Sequence, residues 1–210
     1  MTPEEFAAAA GVSRETMERL AAFDRLLLAE SEKHNLVARS TLADRWRRHF
    51  LDSAQLFPLI PPAAKTLADL GSGAGFPGLV LAAMGRERGL RVLLVESIGK
   101  KAAFLRAAAA EMRLDTVAVI PQRIESATFS VEPDVIVARA LASLEKLAGY
   151  AHRMQGKNTV CIFPKGQDVE VELTETAKSW HMEAERVASV THPGSAILVL
   201  RRLAPKRRTP

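Results

Sequence analysis

The sequence predicts an α/β protein in which a doubly wound, mostly parallel sheet of seven strands follows an N-terminal helical extension. Short apolar runs alternate with helical patterns from residue 65 onward, which is typical of parallel sheets built from strand–helix–strand units. A glycine-rich turn joins the first strand of this region to its first helix. The last two strands have no helix between them, so a hairpin is expected to make one terminal strand antiparallel.

The composition describes an ordinary globular chain with a basic balance. Of its 210 residues, 48% are hydrophobic and 25% are charged, and the formal net charge is +5. The single cysteine, Cys161, excludes an internal disulfide and a cysteine metal cluster. The N-terminus has no secretory signal pattern, and no apolar run reaches the roughly 20 residues of a membrane helix. We therefore expect a cytoplasmic monomer with no membrane or metal partner, and the charge favours a polyanion such as nucleic acid.

Residues 1–60 form the predicted helical extension, 61–204 the sheet domain and 205–210 a basic flexible tail. In the extension, a short helix ends at Gly11, and Ser13 caps a longer helix with apolar residues at helical spacing. The remaining signals are a helix end near Lys33, a turn at 34–37, a helical stretch with Trp46 and Phe50 that ends at Pro58, and a linker at 61–62.

Each element of the sheet domain follows from an apolar run or a helical pattern. The predicted strands are 66–70, 91–96, 116–120, 134–138, 159–163, 183–190 and 196–201. The predicted helices are 77–86, 100–113, 141–152 and 169–180. Pro164 is expected to end the fifth strand because proline cannot donate to a sheet ladder.

The turn after the first strand contains two overlapping glycine patterns. The pattern acid-x-G-x-G-x-G is met by Asp69, Gly71, Gly73 and Gly75. The dinucleotide pattern G-x-G-x-x-G is met by Gly73, Gly75 and Gly78. A dinucleotide needs free N–H groups at the helix start, where Phe76-Pro77 stands and proline has none. This favours a nucleoside without phosphates, such as S-adenosylmethionine, and both patterns remain open.

Glu96 ends the second predicted strand and therefore lies beside the glycine turn in a doubly wound sheet. A carboxylate at this place can accept hydrogen bonds from both hydroxyl groups of a ribose. Together with Asp69 and the glycines, Glu96 completes a candidate adenosine site.

Several motifs fall in an order that resembles a known family. They are HNLV at 34–37, RHFLDS at 48–53, DLGSGAGFPG at 69–78, the basic run 100–106, RALAS at 139–143 and KG at 165–166. Over residues 30 to 170 the chain resembles the RsmG (GidB) family of bacterial small-subunit rRNA N7-guanosine methyltransferases.

The resemblance implies the Rossmann-like fold of class I S-adenosylmethionine-dependent methyltransferases. It implies transfer of a methyl group from S-adenosylmethionine to N7 of one guanosine, position 527 in the 530 loop of 16S rRNA. The partner is then 16S rRNA or the small ribosomal subunit. Matching the family's binding motif onto this chain assigns cofactor contacts to Gly71, Phe76, Ile124, Glu125 and Arg139.

The residues themselves agree with a ring nitrogen as acceptor. Guanine N7 has a lone pair and no proton to lose, so no general base is needed. Methylation of an exocyclic amine usually accompanies an Asn/Asp-Pro-Pro-aromatic motif, but Arg139 and Ala140 stand there. Methylation of pyrimidine C5 needs a cysteine nucleophile, and Cys161 lies mid-strand as an expected core residue. Arg139, at a strand end on the cofactor side, is the candidate catalytic residue.

Basic side chains supply a candidate RNA surface through phosphate neutralisation. The selected residues are Arg47, Arg48, Lys100, Lys101, Lys165 and Arg201. His49 and Asp52 are interpreted as bonds between the extension and the sheet domain. Three other functions stay open: a small-molecule or different rRNA methyltransferase, an NAD(P)-dependent oxidoreductase using the other glycine pattern, and a non-catalytic RNA-binding protein.

Overall fold

The computed structural model describes residues 1–32 and 35–206. The strands are Thr66–Leu70 (β1), Arg91–Val95 (β2), Val117–Ile120 (β3), Val135–Val137 (β4), Val160–Lys165 (β5), Trp180–Ala188 (β6) and Ala196–Pro205 (β7). The α-helices are Pro3–Ala10 (α1), Arg14–Ser31 (α2), Asp52–Ala54 (α3), Gly78–Gly85 (α4), Gly99–Glu111 (α5), Leu144–Met154 (α6) and Val169–Ser179 (α7). Short 3₁₀ helices are Arg39–Asp44, Phe57–Leu59 and Arg86–Arg88, and Trp46–Leu51 is a π-helix. The helix end predicted near Lys33, the turn predicted to begin at His34 and tail residues 207–210 lie outside the described residues.

The strands form one seven-stranded sheet in the order β3-β2-β1-β4-β5-β7-β6. The neighbours from β3 to β5 are parallel, and β7 runs antiparallel to both β5 and β6. The predicted mostly parallel sheet with an antiparallel terminal strand is confirmed. The chain leaves β1 toward β2 on one side, while β4 lies on the other side, so a crevice opens above the carboxyl end of β1.

The centre of the sheet follows directly from its apolar sequence. Every residue of β1 is buried, as expected for a strand with helices on both faces. The Asp134 carboxylate accepts hydrogen bonds from the backbone N–H of Lys65 at 2.8 Å and from the N–H and hydroxyl of Thr66, each at 2.9 Å. This contact ties the beginnings of β1 and β4 and sets the two strands in register.

The prediction that Pro164 ends the fifth strand was wrong. β5 continues to Lys165, with Pro164 opposite Ile197 of β7. The neighbouring strand β4 pairs with β5 only as far as Ile162. Beyond Ile162, β4 offers no carbonyl acceptor to an N–H of β5. Proline at position 164 therefore removes no hydrogen bond from the ladder.

The N-terminal helices join the main hydrophobic core. Thr2 and Glu5 form a reciprocal capping box at the start of α1, and Gly11 ends that helix in the left-handed conformation at φ 59°. The aromatic rings of this region stack against one another and against the glycine turn through Phe6, Phe23, Trp46, Phe50 and Phe76. The extension therefore packs against the glycine turn through the ring of Phe76. Among the described residues, no helix has the length and apolarity that a membrane span requires.

Candidate active site

The glycine turn bends over the carboxyl ends of β1 and β2. The backbone N–H groups of Gly71 and Ser72 donate to the Val95 carbonyl at 2.9 and 3.0 Å. Gly71 has φ 70°, and a Cβ there would stand 2.7 Å from Cδ1 of Leu141. The positive φ favours glycine at position 71, and any side chain there would also displace Leu141.

An open cleft of about 390 Å³ lies beside this turn, and we name it the first cleft. Six residues predicted to bind the cofactor line it, and they are Gly71, Gly73, Glu96, Ile124, Glu125 and Arg139. They come from the ends of β1, β2, β3 and β4, so the sheet edge brings together side chains that are distant in sequence.

Glu96 is the buried carboxylate of the first cleft, with 6% of its surface exposed. Its Oε2 accepts from Gly73 N–H at 2.9 Å and its Oε1 from Ile98 N–H at 2.7 Å. Each oxygen keeps further acceptor capacity. A Cβ at Gly73 would meet only the Gly71 carbonyl oxygen, at 3.8 Å, so the backbone at Gly73 is open to a ligand. This pair of features fits a ribose bearing two hydroxyl groups.

Asp69, predicted to bind the cofactor, does not line the first cleft. Its side chain is fully buried, and its Oδ2 accepts from Gly78 N–H at 3.1 Å at the start of α4. Burial raises the pKa of this carboxyl to about 7. A Cβ at Gly78 would stand 2.6 Å from that same Oδ2. The third glycine of the dinucleotide pattern is therefore explained by helix–strand packing alone.

Gly75 and Phe76 also lie outside the lining of the first cleft. A Cβ at Gly75 would stand 3.2 Å from Cζ of Phe23, so this glycine packs against the extension. The Phe76 ring is buried, stacks on His49 at 5.1 Å between centroids, and lies 5.3 Å from the Arg139 guanidinium carbon. Gly75 therefore packs inside the turn, and Phe76 lies against Arg139 without lining the first cleft.

Arg139 connects the sheet to the extension. Its Nη1 donates to the Arg48 carbonyl at 3.2 Å and to Asp52 Oδ2 at 3.3 Å, and both terminal nitrogens lie 3.4 Å from His49 Nδ1. The interpretation of His49 and Asp52 as bonds between extension and sheet domain is confirmed. The motif RHFLDS thus holds Arg139 in one orientation beside the first cleft.

His49 is neutral in this arrangement. Burial first, and then the charge of Arg139, lower its pKa from 6.5 to about 4. Because Nδ1 faces the Arg139 donors, we assign the proton to Nε2, which donates to Thr41 Oγ1 at 2.8 Å. Thr41 in turn donates to the Ala38 carbonyl at 2.6 Å. His49 lies in the π-helix, a form often found at functional sites, and no sequence pattern predicted that local geometry.

Comparison with known proteins shows the family to which the chain belongs. Residues 16–200 match the family model described as rRNA small subunit methyltransferase G. The chain belongs to this methyltransferase family. Curated relatives named ribosomal RNA small subunit methyltransferase G include one from Paramagnetospirillum magneticum, 48% identical with 100% of both chains covered. Another, from Rhodospirillum centenum, is 49% identical and covers 96% of this chain and 91% of its own. The sequence-based resemblance is confirmed, and this family member is an enzyme.

Solved structures agree on the fold. A SAM-dependent methyltransferase from Aquifex aeolicus superposes with a TM-score of 0.58 at 15% identity, covering 75% of this chain and 91% of its own. An O-methyltransferase from Bacillus cereus, solved with SAH, gives 0.56 at 16% identity over 87% and 91%. At this identity the likeness shows the methyltransferase fold, which confirms the predicted class I architecture.

A second cleft, of about 300 Å³, opens on the other side of Arg139 in this methyltransferase. Among the residues lining the two clefts, only Arg139 and Ala140 are shared. Ala140 has a backbone φ of 51°, a left-handed conformation that residues other than glycine rarely adopt. Two ion pairs, Asp52 with Arg139 and Lys165 with Glu172, line the second cleft.

The predicted RNA-contacting cations fall into two groups. Lys165 is paired with Glu172 at 2.6 Å, Arg201 with Glu185 at 3.3 Å, and Arg47 donates to the carbonyls of Val190 and Thr191. Arg48 and Lys100 are exposed, and Lys101 lines the first cleft. Within the part of the chain described by the structure, these three have no ion-pair partner. Arg123, which the sequence did not single out, is exposed at the first cleft.

The one cysteine of the chain lies in the core of the sheet. Cys161 is buried in the sheet, and burial raises the pKa of its thiol to about 12, so the expected core position is confirmed. Across residues 1–32 and 35–206, no group of three or more His, Cys, Asp or Glu side chains is arranged to hold a metal ion.

His49 and Asp69 predict opposite pH dependences of stability. The pKa of His49 falls from 6.5 to about 4, so the unfolded state binds more protons in that window and stability is lost as pH falls. The pKa of Asp69 rises from 3.8 to about 7, so its contribution is present at low pH and lost as pH rises. Between pH 7 and pH 5 each effect is on the order of 2 kcal/mol, with opposite sign.

We expect urea unfolding at these two pH values to separate the two effects. Relative to the wild type, His49→Gln should gain unfolding free energy on acidification, and Asp69→Asn should lose it. An Asp69→Asn variant with the wild-type change between pH 7 and pH 5 would show that Asp69 is not protonated in the folded protein.

Proposed function

We propose that this enzyme transfers a methyl group from S-adenosylmethionine to N7 of a single guanosine, position 527 in the 530 loop of 16S rRNA. The acceptor is the free rRNA or the small ribosomal subunit, and the reaction takes place in the cytoplasm with the enzyme as a monomer. One observation carries the proposal: in a chain of this family, the buried Glu96 carboxylate and the open backbone of Gly73 face a cleft that ends at Arg139.

The first cleft is the proposed cofactor site. The remaining acceptor capacity of Glu96 takes the two ribose hydroxyls, and Gly71 and Gly73 allow the backbone to approach the nucleoside. Ile124 and Glu125, after β3, flank the adenine end, and Tyr150 holds Glu125 through a 2.8 Å hydrogen bond to its Oε1. Because Asp69, Gly75 and Phe76 lie outside the lining, we propose that they act by shaping the turn.

Arg139 is the proposed catalytic residue at the methyl end. When bound, the cofactor supplies an activated methyl group on a positively charged sulfur, so the protein contributes mainly position and electrostatics. The lone pair of guanine N7 carries no proton, and no side chain is required as a base. Arg139, held by Asp52 and neutral His49, offers fixed N–H donors at the place where the two clefts meet. Alignment of two bound reactants accounts for about 7–11 kcal/mol of a barrier.

The RNA backbone is proposed to approach across the exposed cations. Lys101 and Arg123 line the first cleft, Lys100 precedes Lys101 at the start of α5, and the Arg48 carbonyl accepts from Arg139. These four cations can neutralise phosphates. Lys165, Arg201 and Arg47 are each occupied by protein partners. We propose that Lys165 and Arg47 act through those partners, and that Arg201 contributes the least to RNA affinity.

We expect labelled methyl groups from S-adenosylmethionine to appear on one guanosine when the enzyme is incubated with unmodified 16S rRNA or small subunits. Cleavage of the RNA at N7-methylguanosine maps the position. Label at the 530 loop supports the proposed reaction. Binding of S-adenosylhomocysteine without methyl transfer to either RNA would favour a small-molecule acceptor. Binding of NAD(P) in place of S-adenosylhomocysteine would favour an oxidoreductase that uses the dinucleotide pattern.

A further inference from the structure

The second cleft contains one carboxylate with a free oxygen. Glu172 reaches from α7, and its Oε2 forms an ion pair with Lys165 Nζ and accepts a hydrogen bond from Leu144 N–H, each at 2.6 Å. Its Oε1 has no hydrogen-bond partner among the residues that the structure describes. The side chain is 27% exposed, while that of Lys165 is 9% exposed. The pair therefore presents one fixed carboxylate oxygen to the second cleft.

Asp52, the other carboxylate of the second cleft, is already occupied. Its Oδ1 accepts from the Thr191 hydroxyl at 2.6 Å and from Gln55 Nε2 at 3.0 Å. Its Oδ2 faces Arg139 at 3.3 Å. Asp52 thus holds Arg139 and the hairpin before β7 in place. Glu172 is left as the acidic group with capacity for an incoming ligand.

The two clefts meet at Arg139 and Ala140, so a base lying in the second cleft reaches the methyl end of the first cleft at that junction. Guanine has N7 and O6 on one edge and the donors N1–H and N2–H₂ on the opposite side of the ring system. A base that turns N7 toward the junction therefore turns its donors away from Arg139, toward the wall formed by Lys165 and Glu172. Arg139 can donate to O6 and leave the N7 lone pair free.

We propose that Glu172 is the specificity-determining residue for guanine, with its Oε1 accepting hydrogen bonds from the N1–H and N2–H₂ edge of a base flipped into the second cleft. Lys165 is the positioning residue that holds the Glu172 carboxylate in place through their ion pair. Adenine has an acceptor at N1 and no amine at C2, so it would leave Oε1 unpaired. An acceptor that loses water and gains no partner in the complex disfavours the wrong ligand. This inference rests on the proposed function.

A purely structural role for Glu172 makes a different prediction. In that case the carboxylate only caps α6 at Leu144 and pairs with Lys165, and its substitution would change stability and rate equally for every acceptor. Glu172→Gln separates the two roles, because the glutamine carbonyl can still accept from Leu144 N–H. Its amide N–H₂ then faces the second cleft with donors in place of the acceptor.

The experiment compares two RNAs that differ by one amine. The target guanosine of 16S rRNA is replaced by inosine, which lacks N2–H₂ and keeps N7, and kcat/KM for methyl transfer is measured on both RNAs. We expect the wild type to prefer guanosine by about 10- to 100-fold. Glu172→Gln should reduce this preference to within about threefold, and Glu172→Asp, which withdraws the carboxylate by one methylene, should also reduce it.

Glu170→Gln is the matched control on the same helix. Glu170 is 65% exposed and pairs with Arg186 at 2.7 Å, so this change removes the same charge away from the second cleft. It should keep the wild-type preference. A Glu172→Gln enzyme that still prefers guanosine as strongly as the wild type overturns the inference. If Glu172→Gln does not fold, an undiminished preference in Glu172→Asp does the same. Absence of transfer by the wild type to the guanosine RNA would instead contradict the proposed function.

Discussion

Replacing Arg139 with alanine is expected to lower the single-turnover rate of methyl transfer by about 100- to 1000-fold, the size of effect seen when one fixed donor is removed from an active site. Arg139 lies where the two clefts meet and is held by Asp52, His49 and the Arg48 carbonyl. The affinity for S-adenosylhomocysteine should change much less, because Glu96 and the glycine turn remain. The measurement is the rate at saturating RNA, together with the unfolding free energy of the same preparation.

The stability of the Arg139→Ala variant must be separated from its activity. Removing one partner of a buried ion pair lowers the unfolding free energy by about 3–5 kcal/mol. The loss in Arg139→Ala should be smaller, because the Asp52 carboxylate left behind is 16% exposed and keeps two other hydrogen-bond donors. Arg45→Ala is the matched control, since Arg45 forms a similarly buried pair with Asp24 in the extension. We expect Arg45→Ala to lose stability and keep its rate per folded molecule. Equal rates for the two variants would make Arg139 a structural residue.

Glu96→Ala is expected to weaken binding of S-adenosylhomocysteine by about 1.5–3 kcal/mol, or about 10- to 150-fold. The loss has two sources. The ribose hydroxyls lose a charged acceptor, and the Gly73 and Ile98 N–H groups lose the carboxylate that holds them around the first cleft. Titration calorimetry gives the dissociation constant directly.

Two control variants show whether the loss of affinity in Glu96→Ala comes from the lost carboxylate at this site. Glu96→Gln keeps the shape and one acceptor, so its loss of affinity should be smaller than that of Glu96→Ala. Glu185→Gln removes the same charge from the exposed pair with Arg201 and should leave the affinity unchanged. A Glu96→Ala variant that binds as tightly as the wild type would remove Glu96 from the cofactor site.

Local sequence patterns predicted the elements of the sheet well, because a central parallel strand is buried on both faces and must be an apolar run. The prediction for residues 66–70 coincides with β1. The neighbourhood of Glu96 and Gly73 was predictable for a related reason, since the carboxyl ends of adjacent parallel strands share one edge of the sheet. By contrast, the role of Pro164 depended on where β4 ends, which the sequence of β5 does not contain.

The sequence by itself therefore determined the fold class, the family and the position of the first cleft, all of which depend on short-range periodicity and ordered motifs. Only the tertiary structure decided which acidic residues face a ligand. Asp69 and Glu96 both lie at the carboxyl ends of neighbouring strands, but Asp69 turns inward to the start of α4, while Glu96 lines the first cleft. The second cleft joins Asp52 to Arg139 across 87 positions of the chain. Contacts of that range are set by how helices and loops pack on the sheet, and no local pattern of residues carries that information.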